Sequence, residues 1–222
     1  LERFFFAEGH VFDACTEWMS KDPFCSKRGN NRMNSIAVFC GAKHGTSPLF
    51  TEAARDLGMA LAEREITLVY GGGHVGLMGE VATACLAANG RVIGVIPEFM
   101  VVRELALEAC SELIIVDSMH SRKAKMAELA SGFVAMPGGF GTLGELFEIL
   151  TWSQIGLHAK PVGLLNTANY YDSLAKFLEE AVAAGFLAEA EYRKLQSAAT
   201  PAALLDILSV LPGSIEGQWW KA

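Results

Sequence analysis

Basic residues are in short supply: 18 Lys and Arg stand against 25 Asp and Glu, a formal net charge of -7. A surface that holds a nucleic-acid polymer needs clustered cations to displace counterions from the phosphates. The balance therefore disfavours a polymer partner, and an anionic ligand has to be small and held by a local convergence of cations and backbone N–H groups. Long apolar runs are also missing. The longest, such as 92–97 and 113–116, fall far short of the roughly 20 residues a membrane helix needs, so no segment is expected to span a bilayer. The five cysteines (Cys15, Cys25, Cys40, Cys85, Cys110) are scattered, odd in number and never spaced C-x-x-C. That pattern argues against a disulfide framework or a zinc cluster and fits a reducing cytoplasm. His10, His44, His74, His120 and His158 show no H-E-x-x-H or other metal-ligand spacing, so each is read as an ordinary surface, core or supporting histidine and no metal is expected.

The chain has 222 residues, half of them hydrophobic, which is enough to bury one full core. A single domain over 33–212 is expected, with no repeat, low-complexity tract or linker after Met33. Residues 1–32 differ: they begin without Met and mix aromatics with a Lys27-Arg28-Gly29-Asn30-Asn31-Arg32 stretch. No charged segment followed by an apolar one and a small-residue cleavage site marks a signal peptide there. This atypical N-terminal extension is an over-extended reading frame, an unusual initiation or an accessory arm, alternatives that stay open. Residues 213–222 read as a C-terminal tail.

From Ser35 onward, short β-branched runs alternate with segments of helical length. Strands are expected at 35–40, 67–70, 91–96, 112–116, 133–136 and 161–165, apolar on both faces. Such runs belong in a parallel sheet covered on both sides. The expected architecture is α/β, a doubly wound Rossmann-like parallel sheet with helices on both faces. Ligands bind beyond the carboxyl ends of the strands in such sheets, which is where the stretches 40–45, 71–79 and 137–141 fall.

Gly71, Gly73 and Gly76 match G-x-G-x-x-G between a strand and a helix that begins near Leu77. Glycines there either let the backbone approach a phosphate at a helix start or just turn the chain and pack a helix closely. The loop follows the second strand rather than the first, and Glu98 falls later than a ribose-binding carboxylate usually does. The second loop, Pro137-Gly138-Gly139-Phe140-Gly141, leads into a helix expected from Thr142 to about Gly156. It has the makings of a phosphate cradle, because the first N–H groups of a helix lack intrahelical partners. Thr142-Leu143-Gly144-Glu145 also spells a capping box, which by itself explains both Thr142 and Glu145.

Upstream, Arg122 and Lys123 stand near the start of a helix opened by Ser118, where the macrodipole disfavours cations by a few tenths of a kcal/mol or more. An anion is the expected partner. A phosphate on the 139–142 amides would balance Arg122 or Lys123 and leave Glu145 facing another part of the ligand.

These residues resemble the LOG family, the cytokinin riboside 5'-monophosphate phosphoribohydrolases, whose signature P-G-G-x-G-T-x-x-E is matched from Pro137 to Glu145. The likeness runs from Met33 to about Leu187. It takes in Val38-Phe39-Cys40-Gly41, Tyr70-Gly71-Gly72-Gly73, Gly76-Leu77-Met78-Gly79, Gly94-Val95-Ile96-Pro97 and Arg103-Glu104-Leu105. It continues through Met119-His120 with Arg122-Lys123, then Thr151-Trp152 and 160–166. The resemblance implies cleavage of the N-glycosidic bond of a small nucleoside 5'-monophosphate, an N6-modified adenosine monophosphate or AMP, without a cofactor. It implies Arg122 and Glu145 as the catalytic pair, with substrate contacts at Glu104, Met119, Lys123, Gly138, Gly139, Phe140, Gly141, Thr142 and Thr151. Gly41, Gly72 and Gly73 are implied as an additional phosphate or ribose loop, and a homodimer or a larger assembly as the working form.

Glycosidic cleavage builds positive charge on the sugar, which a carboxylate such as Glu145 stabilises, or relieves by activating water. A guanidinium stays protonated, so Arg122 is expected to orient the substrate or stabilise the departing group. The chain departs from the family at Ala42-Lys43, where many relatives have serines, at His74, and in the segment before Met33. Relatives are often labelled possible lysine decarboxylases, yet nothing in the chain marks a pyridoxal phosphate site. A non-catalytic nucleotide sensor or carrier would use the same loops without cleavage, and a nicotinamide dehydrogenase would bind through Gly71–Gly76.

Overall fold

Ile36 and Val38 turn one way from the first strand, Ala37 and Phe39 the other, and all four are buried. A strand with two covered faces is the unit of the sheet. The computed structural model describes residues 33–101, 107 and 109–211. The extension 1–32, the tail 213–222, and Arg103 and Glu104 lie outside the described residues. The chain separates into two units, Leu1–Arg32 and Met33–Ala222, and the sheet with its helices belongs to the second.

The strands are β1 (Ser35–Phe39), β2 (Thr67–Tyr70), β3 (Val92–Pro97), β4 (Glu112–Val116), β5 (Gly132–Ala135), β6 (Val162–Leu165) and β7 (Leu195–Ala198). All pair in parallel, in the order β4-β3-β2-β1-β5-β6-β7. The helices are α1 (Pro48–Glu63), α2 (Gly76–Ala87), the single turn α3 (Glu98–Val101), α4 (Met119–Leu129) and α5 (Phe140–Gln154). They continue with α6 (Asp172–Ala183), the short α7 (Glu189–Tyr192) and α8 (Pro201–Val210).

One face of the sheet packs Ile36, Val38, Leu68 and Val134 against Leu57 of α1, Val81 of α2 and Leu204 of α8. The other packs Ala37, Val69, Phe133 and Leu164 against Met126 of α4 and Leu146 and Ile149 of α5. Each side chain fully withdrawn from water on either face contributes about 1.5–3 kcal/mol. The doubly wound architecture is as expected.

Two strands depart from the pattern. β7, Leu-Gln-Ser-Ala, has no apolar alternation because it is an edge strand, half-buried and paired only with β6. β4 was expected to be covered on both faces, yet at the other edge it leaves Ile115 56% exposed.

The strand order reverses between β1 and β5, so the connections leaving those neighbours diverge and open a crevice at their carboxyl ends. Glycine sets the width of that crevice. Gly76 has φ +57, and a Cβ there would lie 2.3 Å from the carbonyl carbon of Ala42. The left-handed region costs a residue with a Cβ about 1–2 kcal/mol before any clash, and a backbone wall cannot rotate away. Gly76→Ala is therefore expected to lower Tm by at least about 4 °C; a melting curve that overlays the parent's would show that the first loop yields freely.

Candidate active site

Two loops meet in the crevice. Gly41, just after β1, donates its N–H to Pro137 O at 3.0 Å, and Leu77 N of α2 donates to Gly41 O at 3.0 Å. They enclose a cleft of about 730 Å³ whose walls include Cys40, Lys43, Met119, Arg122, Gly139 and Glu145.

The helix that forms one wall starts earlier than expected. Gly139 is the N-cap of α5, with no side-chain cap bond, and Leu143 N donates to Gly139 O at 3.0 Å. Thr142 is thus the third helical residue, and the capping-box reading fails because glycine holds the cap position. The N–H groups of Phe140, Gly141 and Thr142 have no intrahelical acceptor. Hydroxyls do this work in three helices, Ser47 on α1, Ser118 on α4 and Thr200 on α8, while α2, α6 and α7, like α5, have no side-chain cap. The start of α5 instead opens on the cleft. A Cβ on Gly139, Gly141 or Gly144 would meet no protein atom within 4 Å, whereas one on Gly138 would fall 2.1 Å from Thr142 Oγ1.

Glu145, one turn on, accepts a hydrogen bond from Arg122 Nη2 at 2.7 Å, and the two residues are only 8% and 7% exposed. Lys123 Nζ is 2.7 Å from Glu148 Oε2. The expected anionic partner of Arg122 and Lys123 is therefore a pair of carboxylates three residues apart on α5, and Glu145 is not left free. A gap makes room for the pair: a Cβ on Gly71 would lie 2.6 Å from Arg122 Nη2. The remaining donors of the guanidinium are poorly served. Among the described residues its Nε is buried without a partner, and Nη1 reaches only the sulfurs of Met100 and Met119, both at 3.9 Å.

Burial pushes the Glu145 carboxyl above the usual glutamate value of 4.5, an effect that Arg122 and then Lys123 oppose. Burial, and after it the nearby Glu145 charge, raises the Cys40 thiol far above its usual range. Cys40 stays protonated and is no nucleophile. Among the described residues no group of three His, Cys, Asp or Glu is placed to hold a metal ion.

The cleft brings together Gly41, Met119, Arg122, Lys123, Gly138, Gly139, Phe140, Gly141, Thr142 and Glu145. Glu104 falls outside the described residues. Thr151 is elsewhere, bonded to Phe147 O at 2.7 Å in a second hollow of about 100 Å³. Gly72 and Gly73 are also off the cleft wall; Gly72, at φ +74, would drive a Cβ to 2.9 Å from that of Ile96. In the G-x-G-x-x-G loop, Gly71, Gly72 and Gly76 each lie close against other parts of the protein.

Tyr170 was not foreseen. Its hydroxyl donates to Gly138 O at 2.6 Å while its ring meets Phe50 edge-on, with centroids 5.7 Å apart. The turn that delivers it after β6 contains Ala168 and Asn169 at φ 53 and 59. The one sequence signal is that a turn after β6 must emerge at the same end of the sheet as the two loops.

An uncapped helix start beside a buried carboxylate is the arrangement of a Rossmann-like enzyme that seats an anionic group and works on the atoms next to it. The family model described as "Possible lysine decarboxylase" matches residues 78–208. A cytokinin riboside 5'-monophosphate phosphoribohydrolase of Arabidopsis thaliana is 49% identical over 168 residues, covering 76% of this chain and 77% of that protein. One from Oryza sativa subsp. japonica is 48% identical over 170 residues, 77% of this chain and 70% of that one. The chain belongs to the LOG family of phosphoribohydrolases.

Among solved structures, the molybdenum cofactor binding protein of Rippkaea orientalis shares the fold, with TM-score 0.60 at 23% identity over 79% of this chain and 95% of that one. The molybdenum cofactor carrier protein of Chlamydomonas reinhardtii gives TM-score 0.58 at 26% identity, over 77% and 92%.

The ion pair makes an asymmetric stability prediction. Arg122→Gln strands a buried carboxylate, a loss of about 3–5 kcal/mol at neutral pH if the charge persists. The carboxyl can escape by taking a proton. Without Arg122 its folded pKa rises further above 4.5, so the folded state binds the proton more tightly and the deficit shrinks as pH falls toward 4.5. Glu145→Gln strands a guanidinium that cannot neutralise and removes the carboxyl whose raised pKa stabilises the parent as pH falls, so its deficit does not shrink between pH 7 and 5. Denaturant titrations across that range check both; parallel curves would contradict the pairing.

Proposed function

We propose that the protein hydrolyses the N-glycosidic bond of a nucleoside 5'-monophosphate, either an N6-modified adenosine monophosphate or AMP, giving free base and ribose 5-phosphate. The observation that carries this reading is the position of Glu145 one turn beyond an open helix start on the same cleft wall. A phosphate on the amides of Phe140, Gly141 and Thr142 would place the attached ribose over the carboxylate. The bond from C1' to the base nitrogen breaks, a water oxygen bonds to C1', and the water proton passes to the departing base. Positive charge grows on the ribose as the base leaves, and Glu145 stabilises it or takes the water proton. Arg122 opposes the effect of burial on the carboxylate and holds it in place, and its Nη1, which meets only sulfurs among the described residues, is the guanidinium nitrogen left for the substrate. The relatives named as phosphoribohydrolases support the same reaction.

A second reading is favoured by the molybdenum cofactor carrier of the same fold: binding without cleavage. Product release separates the two. Parent protein should free base and ribose 5-phosphate from AMP or isopentenyladenosine monophosphate but not from the matching nucleosides. Glu145→Gln should lose at least about 100-fold in kcat, on the order of 3 kcal/mol of transition-state stabilisation. Binding with no release from either nucleotide would leave the carrier reading. The acid limb of kcat should lie above pH 4.5, the usual glutamate value, because burial raises the Glu145 carboxyl.

We further propose a homodimer, with larger assemblies as the alternative. Phe147 on α5 and Phe177 on α6 are 37% and 60% exposed, Ile155 and Phe186 just beyond those helices 63% and 89%. Thr151 shares a hollow with Phe147 and would meet a substrate only if a second copy brought α5 to the cleft. Sedimentation should give about twice the chain mass, and Thr151→Ala should raise KM; a monomer at working concentration would remove Thr151 from the site. A cytoplasmic setting is supported by the free thiols of Cys40, Cys85 and Cys110, and no helix among the described residues is long and apolar enough to cross a membrane.

A further inference from the structure

The charges lining the cleft nearly cancel. Arg122 is matched by Glu145 and Lys123 by Glu148. His44 lies 3.7 Å from Glu80 Oε1 and 3.4 Å from Thr51 Oγ1, while Arg55 holds the other Glu80 oxygen at 2.7 Å. Lys43 is what remains. It lines the cleft, its side chain is exposed, and among the described residues no acid faces it. Its backbone, by contrast, is fixed. Lys43 N would lie 2.4 Å from a Cβ on Gly76, and the loop is tied down by the bonds of Gly41 to Pro137 and Leu77. A fixed backbone thus holds, at the cleft wall, an exposed lysine with no acid partner among the described residues.

The charge a nucleotide brings is larger than the helix start can meet. A phosphate monoester carries about -1.5 to -2 near neutral pH, while a helix N-terminus presents the equivalent of roughly +0.5. About one positive charge is wanting, and the two carboxylate-matched cations supply little of it. Resting on the phosphoribohydrolase reading above, we propose that Lys43 supplies it: Lys43 binds the 5'-phosphate and is the residue by which this chain prefers a nucleotide to a nucleoside. The phosphate would lie between the amides of the α5 start and the ammonium, with the first loop as its second wall.

The test compares parent, Lys43→Gln and Lys43→Arg. Calorimetry measures binding of ribose 5-phosphate and of adenosine, and kinetics measures KM and kcat for AMP. Lys43→Gln should weaken ribose 5-phosphate about tenfold and raise KM for AMP by a similar factor, the loss falling on KM rather than kcat. Lys43→Arg should recover most of both, and adenosine binding should not move. Equal ribose 5-phosphate affinity in parent and Lys43→Gln, or no affinity in either, overturns the proposal. If the parent binds ribose 5-phosphate yet releases none from AMP, the hydrolase reading falls while the calorimetric comparison still judges Lys43.

Discussion

The bond between Arg122 and Glu145 joins α4 to α5 where water hardly reaches, and much of the surrounding structure accommodates it. Gly71 leaves out a Cβ that would occupy the guanidinium's place. Cys40 keeps its proton beside the carboxylate. Removing two charges from water costs about as much as their attraction returns, so the pair is a poor choice if stability were its purpose. Under the proposed function its use would be chemical: a carboxylate that burial raises and Arg122 lowers lies one turn beyond a helix start that opens on the cleft.

The glycines divide into two groups by what fills the space they leave. Around Gly71, Gly72, Gly76 and Gly138 the space is taken by protein: a guanidinium, an isoleucine, a neighbouring loop, a threonine. Around Gly139 and Gly141 it is empty. A motif written only as glycines cannot tell these apart, which is why G-x-G-x-x-G could be read either as a ligand loop or as packing, and Gly71, Gly72 and Gly76 lie against protein. The distinction lies in what approaches from distant parts of the chain.

The same limit explains how much of the molecule was legible in its sequence. β1, β2, β3, β5 and β6 were readable because burial on both faces demands unbroken apolar runs; β7 was not, since an edge strand can be Leu-Gln-Ser-Ala and still pair. Glu145 and Arg122 stood out through the family signature, but their bond to each other did not. A glycine N-cap leaves no side chain to read, so Thr142 three residues later imitated a cap and competed with the phosphate-cradle reading of the same helix start. Tyr170 was invisible because its contact with Gly138 depends on two left-handed residues that nothing local announces. Thr151 was carried over by likeness, and its distance from the cleft is a matter of helix phase that spacing alone does not reveal.

The uncapped start of α5 reaches beyond catalysis. Helices α1, α4 and α8 finish their first turns with hydroxyls from their own chain; α2, α5, α6 and α7 do not, and the α5 start also lines the cleft. A visitor that completes a helix binds the folded chain and not the unfolded one, and so shifts the folding equilibrium by an amount set by its concentration over its dissociation constant. Under the proposed function, a nucleotide seated at that start would couple the protein's resistance to heat and proteolysis to the nucleotide supply around it: abundant substrate would preserve the catalyst, and scarcity would hasten its loss.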